Sequence, residues 1–133
     1  MAFKHWVADA LTILTESLSP IPHELNELNW TASLSTQKDR LAEHLMAMAN
    51  QPNGGVLVFG INNDGATVGV SNREVEQIIG TLANLGRDAI EPPLALDHAV
   101  VDHTPDTVVL LVKIPESALK PVHRRGTSVE GTG

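Results

Sequence analysis

Residues 45–70 read LMAMANQPNGGVLVFGINNDGATVGV, and the fold is decided in this stretch. Its first residues close a helical stripe: Leu41, Leu45 and Met48 share one face, with Ala42 and Ala49 beside them. Asn50-Gln51-Pro52-Asn53-Gly54-Gly55 stops that helix with turn formers. Residues 56–61, Val-Leu-Val-Phe-Gly-Ile, are apolar on both faces and of strand length, the pattern of a central strand covered on each side. Asn62-Asn63-Asp64-Gly65 is a hairpin turn signal, and Thr67-Val68-Gly69-Val70 is expected to return as a short partner strand. Gly54-Gly55 lets the chain swing from helix into strand, and Gly60 admits another backbone at close range.

Upstream, Ser35-Thr36-Gln37-Lys38-Asp39 opens the helix, with Thr36 and Asp39 at capping-box spacing. Leu28 and Trp30 mark a short strand over 28–32. Phe3, Trp6, Val7, Ala10, Leu11 and Leu14 predict an amphipathic helix within 1–18, ended by Ser19-Pro20-Ile21-Pro22. Downstream, Ser71 and Glu74 form a second capping box, and Val75, Ile78, Ile79, Leu82 and Leu85 form a stripe with Gly86 at the expected C-cap. Glu91-Pro92-Pro93 is a break. Residues 94–101 and 107–114 then read as two strands joined by 102–106, with Val108 to Val112 apolar on both faces. The polar segment after Pro115 is expected to be a loop carrying Lys120, Arg124 and Arg125. The sum is an α+β domain, its sheet centred on 56–61 and 108–112 and covered by helices over 38–49 and 72–85.

Composition narrows the chemistry. The chain has 133 residues and 14.2 kDa, enough for one core. It contains no cysteine, which excludes disulfides, thiolate zinc sites and cysteine nucleophiles. Aromatics are 3%, so a base-stacking sheet platform is disfavoured. Net charge is −7 with a pI near 5.2, which opposes generic polyanion binding. No signal-peptide pattern and no long apolar span are visible, so the expectation is a cytoplasmic protein without membrane partners. Gly55 and Gly60 have phosphate-loop spacing, but Ile61-Asn62 follows where Lys and Ser/Thr are required. No G-x-S-x-G elbow is present, and the six histidines have no ligand spacing. No catalytic residue, metal or cofactor is therefore expected.

Two groups of cations could meet a phosphate backbone. Lys38 and Arg40 sit at a helix start, and Lys120, His123, Arg124 and Arg125 form a C-terminal cluster.

The helix ending Ala-x-Ala-Asn, the Gly54-Gly55 pair, the strand, Gly60-Ile61-Asn62-Asn63-Asp64-Gly65 and the short Val68-Gly69-Val70 together resemble the Schlafen AlbA-2 domain. Ile114-Pro115-Glu116-Ser117 and Lys120-Pro121-Val122 are similar to a later stretch of that family, so the resemblance spans about 24–122. It implies an Alba-like mixed sheet of four to six strands with two packed helices, to which the N-terminal helix over 1–18 is an addition. It also implies nucleic-acid binding, in transcription regulators and RecG-related proteins. The family's pair of glutamates falls on Glu24 and Asn29, and Thr31 stands where a lysine is usual. In the nucleases of the family, both glutamates and an aspartate of the later turn line the cleavage site. Here that turn offers Asn63 or Asp64, too few acids to hold a metal and activate water. Family members continue with a further strand, so residues 24–133 are expected to be a domain cut short within a longer protein.

The leading expectation is a DNA-binding, regulatory module that contacts phosphates without sequence preference. A protein-interaction or homodimerisation domain with a decayed site is the alternative. A nucleotide-binding or nuclease domain stands third.

Overall fold

The computed structural model describes residues 4–19, 22–23 and 25–126. Its frame is a strand–helix–strand unit. β1 (Leu28–Thr31) runs parallel to β2 (Gly55–Phe59), in register Leu28 to Val56 and Thr31 to Phe59. Parallel neighbours need a crossover, and α2 (Lys38–Ala49) makes it. The antiparallel hairpin of β4 (Asp97–Thr104) and β5 (Thr107–Ile114) adds β5 to the other side of β2. The order β1-β2-β5-β4 puts β2 and β5 at the centre, and every residue of β2 is buried. A second, two-stranded sheet pairs β3 (Ile90–Glu91) with β6 (His123–Arg124).

Three helices cover the sheet. On one face, α2 and α3 (Asn72–Asn84) pack Leu41, Leu45, Met48, Ile78 and Leu82 against Leu57, Phe59, Leu110 and Val112. On the other, α1 (His5–Leu18) buries Val7, Ala10 and Leu14 against Leu28, Trp30, Val58, Val109 and Leu111. The N-terminal helix, expected as an addition, thus covers one of the sheet's two faces.

Several local expectations are corrected. Residues 67–70 do not form a hairpin strand, because both sides of β2 are already taken by β1 and β5. The returning chain makes a single bridge, Ile61 to Thr67, and crosses to β5, where Val70 N–H donates to Val108 O at 3.0 Å. Gly60 allows this with φ +112°, and a Cβ there would meet the Gly69 backbone at 3.2 Å. Thr36 does not cap α2. The N-cap is Gln37, without a side-chain bond, and Ser35 Oγ instead accepts from Gln37 N–H at 3.1 Å. The second capping box does form, with Ser71 Oγ accepting from Glu74 N–H at 3.1 Å and Glu74 Oε1 from Ser71 N–H at 2.9 Å. Gly86 is not a C-cap. α3 widens into a π-helical turn, Leu85–Ala89, in which Gly86 lies buried under the Leu94 carbonyl. Leu94 is held there by its N–H to Gly86 O at 2.8 Å, so β4 begins at Asp97 and runs on to Thr104.

Gly54 is the tightest point. It adopts φ +66°, and a Cβ there would lie 2.0 Å from Ile114 O. Only glycine passes the end of β5 so closely.

Candidate functional site

The tail is not a free loop. Val122 is buried in the helix-side core, and the Asn50 side chain grips its backbone: Val122 N–H donates to Asn50 Oδ1 at 2.7 Å and Asn50 Nδ2 to Val122 O at 3.2 Å. His123 and Arg124 then form β6, and Arg125 N–H donates to Ala89 O at 2.7 Å. This order places each cation. Arg124 Nη1 reaches Asp39 Oδ1 at 2.8 Å, in the first turn of α2, so the tail strand lies beside Lys38 and Arg40. Arg125 pairs with Glu91 at 3.1 Å. Lys120 is drawn elsewhere, to Glu116 at 2.5 Å. Lys120 beside it, and then the Asn53 N–H, hold the Glu116 carboxyl below the usual carboxylate range. The expected cluster of four is therefore split: Arg124 joins the α2 start, His123 and Arg125 turn to Glu91 (His123 as its partner in the β3–β6 ladder, Arg125 by its ion pair), and Lys120 serves the turn at Asn53.

Next to that start is a cleft of about 650 Å³ between β1 and α2. Its floor is Leu57 and Phe59. The register of β1 on β2 carries Asn29 and Thr31 onto the same face, where they line the cleft in the row of Leu57 and Phe59. Both are partly engaged locally, Asn29 Nδ2 with Leu25 O at 3.3 Å and Thr31 Oγ1 with Ser33 O at 3.1 Å. From α2, Arg40, Glu43, His44 and Ala47 line the opposite wall, at the three- and four-residue spacing of one helix face. Arg40 is the cation shared by the cleft and the α2 start. The i, i+4 pair of Arg40 and His44, next to the apolar stripe, is the sequence signal for this wall, and spacing between histidines alone does not carry it.

The remaining motif residues are structural. The turn after β2 is held by Asn62, whose Oδ1 accepts from Asp64 N–H and Ala66 N–H, both at 3.0 Å, while Asn63 and Asp64 are exposed. Gly65, with φ +84°, packs against Pro22.

A family model, Schlafen AlbA_2, matches residues 24–131. The chain belongs to the Schlafen AlbA_2 family. No curated protein sequence matches it. Among solved structures it is similar to the N-terminal domain of a RecG-related protein from Nitrosomonas europaea, at 22% identity and TM-score 0.63, covering 93% of this chain and 85% of that one. It is also similar to a protein from Corynebacterium diphtheriae, at 18% identity and TM-score 0.56, covering 89% of this chain but 23% of that one. These likenesses confirm the α+β fold.

Of the positions that line the cleavage site in the family's nucleases, one lies outside the described residues and another carries no acid. Glu24 lies outside the described residues. Asn29 brings a neutral amide to the position of the second acid, and Thr31 a hydroxyl to that of the lysine. Among the described residues, no three histidine, aspartate or glutamate side chains converge closely enough to hold a metal ion. Also among the described residues, no helix is long and apolar enough to cross a membrane.

Proposed function

We propose that this Schlafen AlbA_2 domain is a DNA-binding module of a larger regulator or RecG-related protein. It would hold phosphates weakly and without sequence preference. One observation supports this above the others: the Arg124–Asp39 ion pair, at 2.8 Å, brings Arg124 to the first turn of α2, where Lys38 and Arg40 open the helix beside the cleft. Cations at a helix start, with free backbone N–H groups behind them, suit a phosphate. DNA is the chosen polymer because the Nitrosomonas protein is related by name to RecG, a DNA helicase.

The test is fluorescence anisotropy with short duplex and single-stranded DNA at low salt. The double variant Arg40→Ala/Arg124→Ala is expected to lose about tenfold or more in affinity, since two phosphate contacts go. Asp39→Asn is expected to bind a few-fold tighter, because it removes a negative charge and frees Arg124. Equal binding by wild type and the double variant would overturn the site. Absence of binding to any nucleic acid would favour the protein-interaction reading.

The same reading makes the domain a binder and not a nuclease. Labelled RNA or single-stranded DNA incubated with Mg²⁺ or Mn²⁺ is expected to stay intact, and cleavage that vanishes in Glu24→Ala and Asp64→Ala would refute this.

A further inference from the structure

β4 is an edge strand of eight residues, Asp-His-Ala-Val-Val-Asp-His-Thr. It carries no proline and no lysine of its own, the usual means of blunting an edge. Both peptide groups of His98 are satisfied by side chains: its N–H donates to Asp97 Oδ1 at 2.9 Å, and its C=O accepts from Lys4 Nζ at 2.6 Å. They therefore face away from β5. Because this direction alternates along an antiparallel strand, the N–H and C=O groups of Val100 and Asp102 also point to the open edge. Val100 is 47% exposed there.

We propose that this edge pairs antiparallel with the same edge of a second copy of the chain, about a two-fold axis through Val100. Such an axis, perpendicular to the sheet, keeps each side chain on its own face, so only certain registers are open. An axis through Asp102 sets that acid against itself. One through Val101 sets Val100 against the partner's Asp102. One through Ala99 sets His98 against the partner's Val100. The axis through Val100 sets Val100 against the partner's Val100, Ala99 against the partner's Val101, and His98 against the partner's Asp102. Apolar then meets apolar and imidazole meets carboxylate at every position, the pairing that stabilises cross-strand neighbours. The β4 ladder shifts between Asp102 and Thr104, so the matched segment is 98–102. Lys4 and Asp97 oppose the pairing at one end, since Lys4 occupies the His98 C=O and Asp97 the His98 N–H that the partner's Asp102 N–H and C=O would take. The result is one continuous sheet through two domains, with both β1–α2 clefts at its far ends.

The chain has no cysteine, so single-cysteine variants report the geometry directly. Opposed residues of a hydrogen-bonded antiparallel pair have Cα atoms about 5.5 Å apart, within disulfide range. Under mild oxidation, Val100→Cys is expected to cross-link about tenfold or more faster than Val68→Cys, an equally exposed position off the edge (51% exposed). A mixture of His98→Cys and Asp102→Cys is expected to give the mixed dimer. In sedimentation equilibrium, wild type should dissociate on dilution. Val100→Lys should stay monomeric with unchanged circular dichroism, and Lys4→Ala should associate several-fold more tightly. Wild type that remains monomeric up to about 1 mM, or Val100→Cys linking no faster than Val68→Cys, would overturn the proposal.

Discussion

Asp97 shows how a single carboxylate joins the first helix to the last hairpin. It accepts from Lys4 Nζ at 2.5 Å, from the Trp6 indole N–H at 2.9 Å and from the His98 N–H at 2.9 Å. Lys4 first, and the indole next, lower its pKa from 3.8 to about 2. The sign follows from that direction. A carboxyl depressed in the folded state stabilises fully above its unfolded value and loses that contribution as pH falls through the folded one. The window is therefore from about pH 4 down to about pH 2. The pair is nearly half exposed, so solvent screening keeps its worth at or below about 1 kcal/mol. In urea unfolding, the stability difference between wild type and Asp97→Asn is expected to be constant from about pH 5 to 7 and to shrink steadily across that window. A difference independent of pH down to its lower end would show that Asp97 is not held as described.

At the scale of elements, β2 carries the fold. Val58 is 0% exposed and sits between α1 and the paired strands β1 and β5. Val58→Asp would bury an unpaired charge, at a cost of several kcal/mol, on the order of the whole stability of such a domain. Loss of the cooperative transition in thermal or urea unfolding is expected, and a well-folded variant would place the central strand elsewhere. This strand was legible in the sequence because burial on both faces leaves an unbroken apolar run, and the same holds for β5. The Ser71–Glu74 box was legible because both its bonds are local. What was not legible depends on partners distant in the chain. The segment after Gly60 looks like a hairpin arm until β1 and β5 fill both sides of β2. The β3–β6 pair is two residues long on each side, too short for any period to show. The tail resembles a loop because its anchors are distant in the chain, among them Asn50, bonding 72 residues ahead, and Ala89 in the π-helical turn. At the candidate site, the cations were visible as residues, but their grouping was set by Asp39, Glu91 and Glu116, whose partners no local pattern reveals.

Across the whole molecule, charge limits what the proposed interface can do. Net charge is −7, and among the described residues five of the nine lysines and arginines (Lys4, Arg87, Lys120, Arg124 and Arg125) are in ion pairs with carboxylates. A sixth, Lys113, donates to Asn53 O at 2.7 Å. Near the α2 start, Lys38 and Arg40 carry no ion pair among the described residues, and Arg124 must give up Asp39 to reach a phosphate. The number of phosphates neutralised is thus about 2 to 4, and log K against log salt should fall with a slope of about −2 to −4. Affinity is expected to be micromolar or weaker, because the field of the whole domain repels the polymer before the local cations engage it. Sequence should matter little. Among the described residues, Trp30 and Phe59 are buried and Trp6 is partly buried with its indole N–H on Asp97, which leaves little aromatic surface for base stacking. Titrations of duplexes differing only in sequence, each at several salt concentrations, measure both quantities together. Curves that superimpose with a shallow slope are the expected outcome. A slope well steeper than about −5 would require cations from beyond the α2 start, and would move the interface away from the Arg124–Asp39 junction.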